Sequence, residues 1–172
     1  EPHPILLYGE QKLTAERYLQ NLGCPYSILR LSKVYGGGAT DGTLFSGWLA
    51  GLRLGGHMRC AADQAFSPVF VGDVVEAIQR TVARDLSGVY HVSGNRRFRR
   101  IELLEMLLGE VSRQFGDQGI LVEPCSIHDF NLPEKRPVDV SMSADKLICD
   151  TDITPADIEE QCARIVACST LG

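Results

Sequence analysis

No stretch of this 172-residue sequence approaches the roughly 18 consecutive apolar residues of a membrane span. Its opening EPHPILLYG also lacks the charged, apolar and small-residue stages of a secretory signal. A cytoplasmic protein is therefore expected. Positive charge is in deficit: 17 Lys and Arg against 22 Asp and Glu leave a net charge of −5, which argues against nucleic acid or an anionic membrane as partner. The six cysteines, Cys24, Cys60, Cys125, Cys149, Cys162 and Cys168, form no C-x-x-C pair and have no histidine at metal-ligand spacing. They read as reduced, mostly buried thiols, and no metal is expected. The signatures G-x-G-x-x-G, G-x-x-x-x-G-K-[ST] and G-x-S-x-G are missing as well, so no ordinary phosphate cradle or hydrolase nucleophile is legible.

What is present is an ordinary globular composition, 44% hydrophobic and 23% charged, long enough for a substantial core. Helix formers dominate residues 9–22, with Gly23 expected as the C-cap and Pro25 just beyond it. YSILRLSKVYG reads as one buried strand, and the glycines Gly36 to Gly38 read as a turn. TLFSGWLAGLRLGG reads as a helix in which Phe45 and Trp48 belong to the core, and MRCAADQAFSPVFV as an extended segment kinked at Pro68. GDVVEAIQRTVARD is an amphipathic helix with Asp73 near its start, SGVYHVSG a strand, and RIELLEMLLGEVSRQFG the strongest helix in the chain. A strand at ILVEP, a loop at FNLPEKRP and two short helices complete the order. Alternating helices and strands imply an α/β fold with parallel pairing.

One spacing carries chemistry. Tyr8 and Lys12 lie four residues apart on a helix, hence on one face about a turn apart. A phenol is a poor proton donor near neutrality, with a reference pKa of about 10, but a fixed cation beside it favours phenolate and brings it into range as a general acid. Such a lysine can also bond ribose hydroxyls. Taken alone the spacing is common; its surroundings decide its weight.

EPHPILLYGEQKLTAE resembles the segment around the active-site tyrosine of the extended short-chain dehydrogenases/reductases. ILRLSKVYG, DQAFSPVFVGDVVEAI and GVYHVSG are similar to later segments of that superfamily, in the same order. KRPVDVSMSADKL is similar to a segment of one branch, the dTDP-4-dehydrorhamnose reductases. The sequence departs from the superfamily at three places. Phe66 stands where epimerases and dehydratases usually carry an arginine for a diphosphate, while Val69 and Lys33 replace the Thr and Trp usual in the reductase branch.

The resemblance implies an incomplete Rossmann-like parallel sheet plus a small α/β substrate-binding domain. Residues 1–36 and 70–95 would be the remnant of the NAD(P)-binding domain, and 37–69 and 96–172 the substrate-binding domain. It implies a reductase of a 4-keto sugar nucleotide, with Tyr8 and Lys12 catalytic and touching NADP or NAD, and with Leu31 and Ser32 bordering the nicotinamide. Lys33 and Arg136 would hold substrate phosphate, against the alternatives of a solvated lysine and an Arg136 ion pair with Asp139 or Glu134. NRRFRR, with Arg96, Arg97, Arg99 and Arg100 just before a helix, reads as a solvated loop, against the alternative of a role in holding a diphosphate. A nucleotide-sugar epimerase or dehydratase, or a non-catalytic regulatory subunit on the same fold, is the alternative function. The glycine-rich loop would lie before Glu1, so the main cofactor-binding half is expected outside this chain. Alone, the chain is expected to be inactive and to leave apolar faces needing that half or another subunit; a homo-oligomer is left open as a further partner.

Overall fold

The computed structural model describes residues 2–169; Glu1 and residues 170–172, at the outer ends of the two expected domains, lie outside the described residues. Helix α1 (Leu7–Gln20) is followed by strands β1 (Ser27–Leu31) and β2 (Val34–Tyr35), then α2 (Leu44–Leu52). Three strands come next, β3 (His57–Ala61), β4 (Ala65–Phe66) and β5 (Val69–Phe70), leading into α3 (Val71–Ala83). Then follow β6 (Gly88–Val92), β7 (Phe98–Arg99), α4 (Arg100–Phe115) and β8 (Leu121–Cys125), with α5 (Asp145–Thr151) and α6 (Ile158–Ala167) last. β1 pairs with β6, β2 with β5 and β3 with β8, all parallel, while β4 and β7 are antiparallel. The α/β class and parallel pairing expected from the sequence are what the chain adopts.

Two local expectations need correction. YSILRLSKVYG is not one strand: β1 runs alongside β6 and β2 alongside β5, so the chain changes partner at Ser32 and Lys33. The change is held by Ser32 N–H donating to the Val92 carbonyl and Val69 N–H donating to that of Lys33. Gly23 is not the C-cap of α1 either. Asn21 closes the helix, and Gly23, at φ +68°, makes the turn that follows.

Burial falls into two clusters. The larger joins α2, α4 and α6 around Phe45, Leu49, Leu103, Leu104, Leu107 and Ile165. The smaller packs α3 and α5 on β6 through Val74, Ala77, Tyr90, Val92, Leu147 and Ile153. Two helices keep apolar surface outside both. α1 buries none of its residues. α3 turns Val74 and Ala77 inward but leaves Val71, Val75, Ile78 and Val82 exposed, a stripe at helical spacing.

With no buried side chain, α1 relies on polar anchors. Arg30 on β1 forks onto Glu16, with Nε to Oε1 at 2.9 Å and Nη2 to Oε2 at 2.6 Å, and Leu7 N–H donates to Glu134 at 3.0 Å. The hydrogen bond from Arg30 holds the Glu16 carboxyl below its usual range, against partial desolvation. A lowered folded-state value means the pair stabilises fully above the unfolded value, about 4.3, and that this contribution is lost as pH falls through the folded value. Glu16→Gln should therefore flatten the acid limb of stability. Urea midpoints at neutral and acid pH should converge for the variant relative to wild type, and equal acid losses in the two proteins would refute the tether.

The thiols depart from expectation. Cys60 and Cys162 are buried, Cys125 is intermediate, and Cys24, Cys149 and Cys168 are exposed; all are free. Burial pushes Cys162 up to about 12.

Candidate functional site

Tyr8 and Lys12 sit in the first turns of α1, as their spacing requires. The Lys12 ammonium lies over the Tyr8 ring, 5.3 Å from its centroid. Tyr8 is 66% exposed and opens onto a cavity of about 620 Å³. The same cavity is lined by Leu31, Ser32, Lys33 and Arg136. Five of the six side chains singled out in the sequence thus share one wall system, although 128 positions separate Tyr8 from Arg136. Lys12 instead lines a neighbouring cleft with His3, Pro4, Glu16 and Arg30.

The break between β1 and β2 explains how Leu31, Ser32 and Lys33 reach the cavity: all three sit where the strand leaves one partner for the next. Ser32 Oγ is buried there without a hydrogen-bond partner among the described residues, a rare condition for a hydroxyl. Desolvation lowers the Lys33 pKa, and the charges of Arg100 and Arg136 lower it further. The neighbouring Asp139 and Glu134 do not neutralise Arg136. Asp139 is engaged by Arg97 at 3.0 Å, and Glu134 accepts from Leu7 N–H.

Among the further lining residues are Arg59, Gln64 and Phe130, to which the sequence gave no site role, and Arg100 of NRRFRR. Arg59 stacks on Phe130 at 5.5 Å, and Arg100 on Trp48 at 5.5 Å. Phe66, 2% exposed, forms an apolar part of the wall. Four cations, Lys33, Arg59, Arg100 and Arg136, line the cavity and no carboxylate does; Arg59 is paired with Glu123 at 3.5 Å, which leaves Lys33, Arg100 and Arg136 without a carboxylate partner among the described residues. Such a site favours an anionic ligand. The one available signal was NRRFRR. Arg96, Arg97 and Arg99 are exposed, as a solvated loop requires, but Phe98 is buried, Phe98–Arg99 pairs with β4, and those three arginines are ion-paired. Arg96 meets Glu159 at 2.7 Å, Arg97 meets Asp139, and Arg99 meets Glu102 at 2.7 Å.

The expected roles of Phe45 and Trp48 as core hold, since both are buried in the larger cluster. Gly36 to Gly38 form a turn closed by Asp41, which accepts from Gly38 N–H at 3.2 Å and Thr43 N–H at 2.9 Å. Among the described residues no helix is long and apolar enough to cross a membrane, and no group of three or more His, Cys, Asp or Glu is placed to hold a metal ion.

The sequence profile of the RmlD substrate binding domain matches residues 1–170. The chain belongs to this family. A probable low-salt glycan biosynthesis reductase, Agl14 of Haloferax volcanii, is 29% identical over 165 residues, covering 92% of this chain and 54% of the relative. The fold is that of a dTDP-4-dehydrorhamnose reductase from Bacillus anthracis solved with NADP, at a TM-score of 0.83 and 23% identity, over 97% of this chain and 57% of that one. A Thermus thermophilus UDP-glucose 4-epimerase solved with NAD shares it too, at a TM-score of 0.74 and 21% identity, over 97% and 55% of the two chains. The chain spans about half the length of these relatives.

Proposed function

We propose that this family member forms the substrate side and the proton-donating edge of an NAD(P)-dependent sugar-nucleotide reductase resembling the dTDP-4-dehydrorhamnose reductases. The observation that carries this is the single cavity in which Tyr8 meets four cations and an unpartnered serine hydroxyl. The residues fit the nicotinamide end of a dinucleotide: Ser32 Oγ offers a hydrogen bond that nothing else takes, Leu31 is 47% exposed beside it, and Lys12 presents an ammonium to ribose hydroxyls. A bound NADPH or NADH supplies the hydride. Tyr8 gives its hydroxyl proton to the oxygen of the keto carbon as that oxygen gains charge. Lys12 keeps positive charge beside the ring and anchors the ribose. Lys33 and Arg136 grip substrate phosphate.

In this reading residues 1–36 and 70–95 belong to the cofactor-binding unit, and 37–69 and 96–172 to the substrate-binding unit, with α5 packed on the cofactor side. The exposed stripe Val71, Val75, Ile78 and Val82, with the unburied α1, suits coverage by the rest of a nucleotide-binding fold, from the same polypeptide or another subunit. The test is NADPH and NADH absorbance in the assembled enzyme supplied with dTDP-4-keto-6-deoxy sugar. Oxidation of either cofactor with formation of the 4-hydroxy sugar nucleotide is expected. Absence of oxidation with both would overturn the reading.

A further inference from the structure

We propose that Arg100, at the first position of α4, is a phosphate-gripping and specificity-determining residue of the substrate cavity, selecting nucleoside diphosphates over monophosphates. The proposal rests on the reading of that cavity as a sugar-nucleotide site.

Arg100 differs from its neighbours in NRRFRR. Arg96, Arg97 and Arg99 each spend their charge on a carboxylate, and none of the three lines the large cavity. Arg100 has no carboxylate partner among the described residues and does line it. Its position is fixed from several sides. Its backbone N–H donates to the Gln64 carbonyl at 2.7 Å, its Nη1 reaches Gln64 Oε1 at 3.4 Å, and its guanidinium lies over Trp48. Trp48 is itself buried, so the guanidinium rests on a rigid aromatic base. A guanidinium has five donors, and the neutral partners at Gln64 and Cys60 leave most of them and the whole charge for a ligand.

The surroundings say which ligand. Lys33 and Arg136 share the cavity, and both arginines bear electrostatically on Lys33. Three cations without a counter-ion repel one another across a partly desolvated space. One phosphate can engage one or two of them; a diphosphate presents oxygens to all three and relieves more of the repulsion. Gln64 positions Arg100 and does not neutralise it.

The test is calorimetric titration of the full chain with dTDP, dTMP and thymidine, for wild type, Arg100→Gln, Arg100→Lys and the control Arg96→Gln. In Arg100→Gln, dTDP affinity should fall about 10- to 100-fold while thymidine affinity stays within about twofold, so the preference for dTDP over dTMP shrinks. Arg100→Lys keeps the charge but loses the fork and the stack, so it should recover only part of the affinity. Arg96→Gln should bind as wild type does. Thermal midpoints check that each variant is folded. If dTDP binds wild type and Arg100→Gln equally, or if dTDP and thymidine weaken together, the role of Arg100 is overturned while the cavity reading stands. If wild type does not distinguish dTDP from thymidine, the cavity reading falls and this proposal with it.

Discussion

Replacing Tyr8 by phenylalanine should lower turnover of the assembled enzyme by at least about two orders of magnitude, the usual scale of a lost general acid. The substitution removes one oxygen from a side chain that is two-thirds exposed and lies under the Lys12 ammonium. Folding stability should stay within about 0.5 kcal/mol of wild type. The phenylalanine ring still lies under Lys12, so on the proposed reading the ribose anchor and the phosphate-binding cations of the cavity are left in place. The loss should appear in kcat with little change in KM, the pattern of an interaction made only as the carbonyl oxygen gains charge. Steady-state kinetics with a keto sugar nucleotide reads both constants. Near-normal kcat would remove Tyr8 from proton transfer and leave the cavity as a binding site only.

The largest stability effect is expected at Phe45. Its ring is fully buried on α2, meets Tyr35 edge-on at 5.3 Å and 84°, and meets Trp48 at 6.0 Å and 69°. Phe45→Ala deletes the ring from a dense interior and leaves a void that the flanking helices cannot fill, at a cost of about 3–5 kcal/mol. Loss of the two edge contacts adds to the transfer term. Against the roughly 5–15 kcal/mol typical of a whole domain, this is a large share of the total stability. Phe45→Leu keeps most of the apolar volume and should cost less. Urea denaturation at neutral pH measures both, and an unchanged midpoint for Phe45→Ala would contradict the packing of α2. The void would also undercut Trp48, the base on which Arg100 rests, so a surviving folded fraction should bind dTDP more weakly.

These residues show how unevenly the site was legible. Tyr8 and Lys12 could be found by counting, because a helix brings residues four apart together whatever the rest of the chain does. Arg136 was reached through resemblance and Lys33 as a departure from it, and both line the one cavity. Arg59, Gln64 and Phe130 gave no local sign, and Arg100 only the charge of NRRFRR, which looks solvated until the carboxylates that neutralise the other three arginines are located in space.

By itself, the sequence determined the α/β class, the main helices, the parallel pairing that prevails among the strands and the Tyr8–Lys12 pair, because these follow from periodicity and connection rules acting over a few residues. The tertiary structure alone decided that β1 and β2 part at Ser32, that Ser32 Oγ is left without a partner, and that Arg100 rather than its neighbours faces the cavity. Those outcomes depend on which strand lies beside which and on which charges are already paired. Apart from Arg99–Glu102, the contacts that settle them join positions 36 to 63 residues apart, beyond the reach of any local pattern.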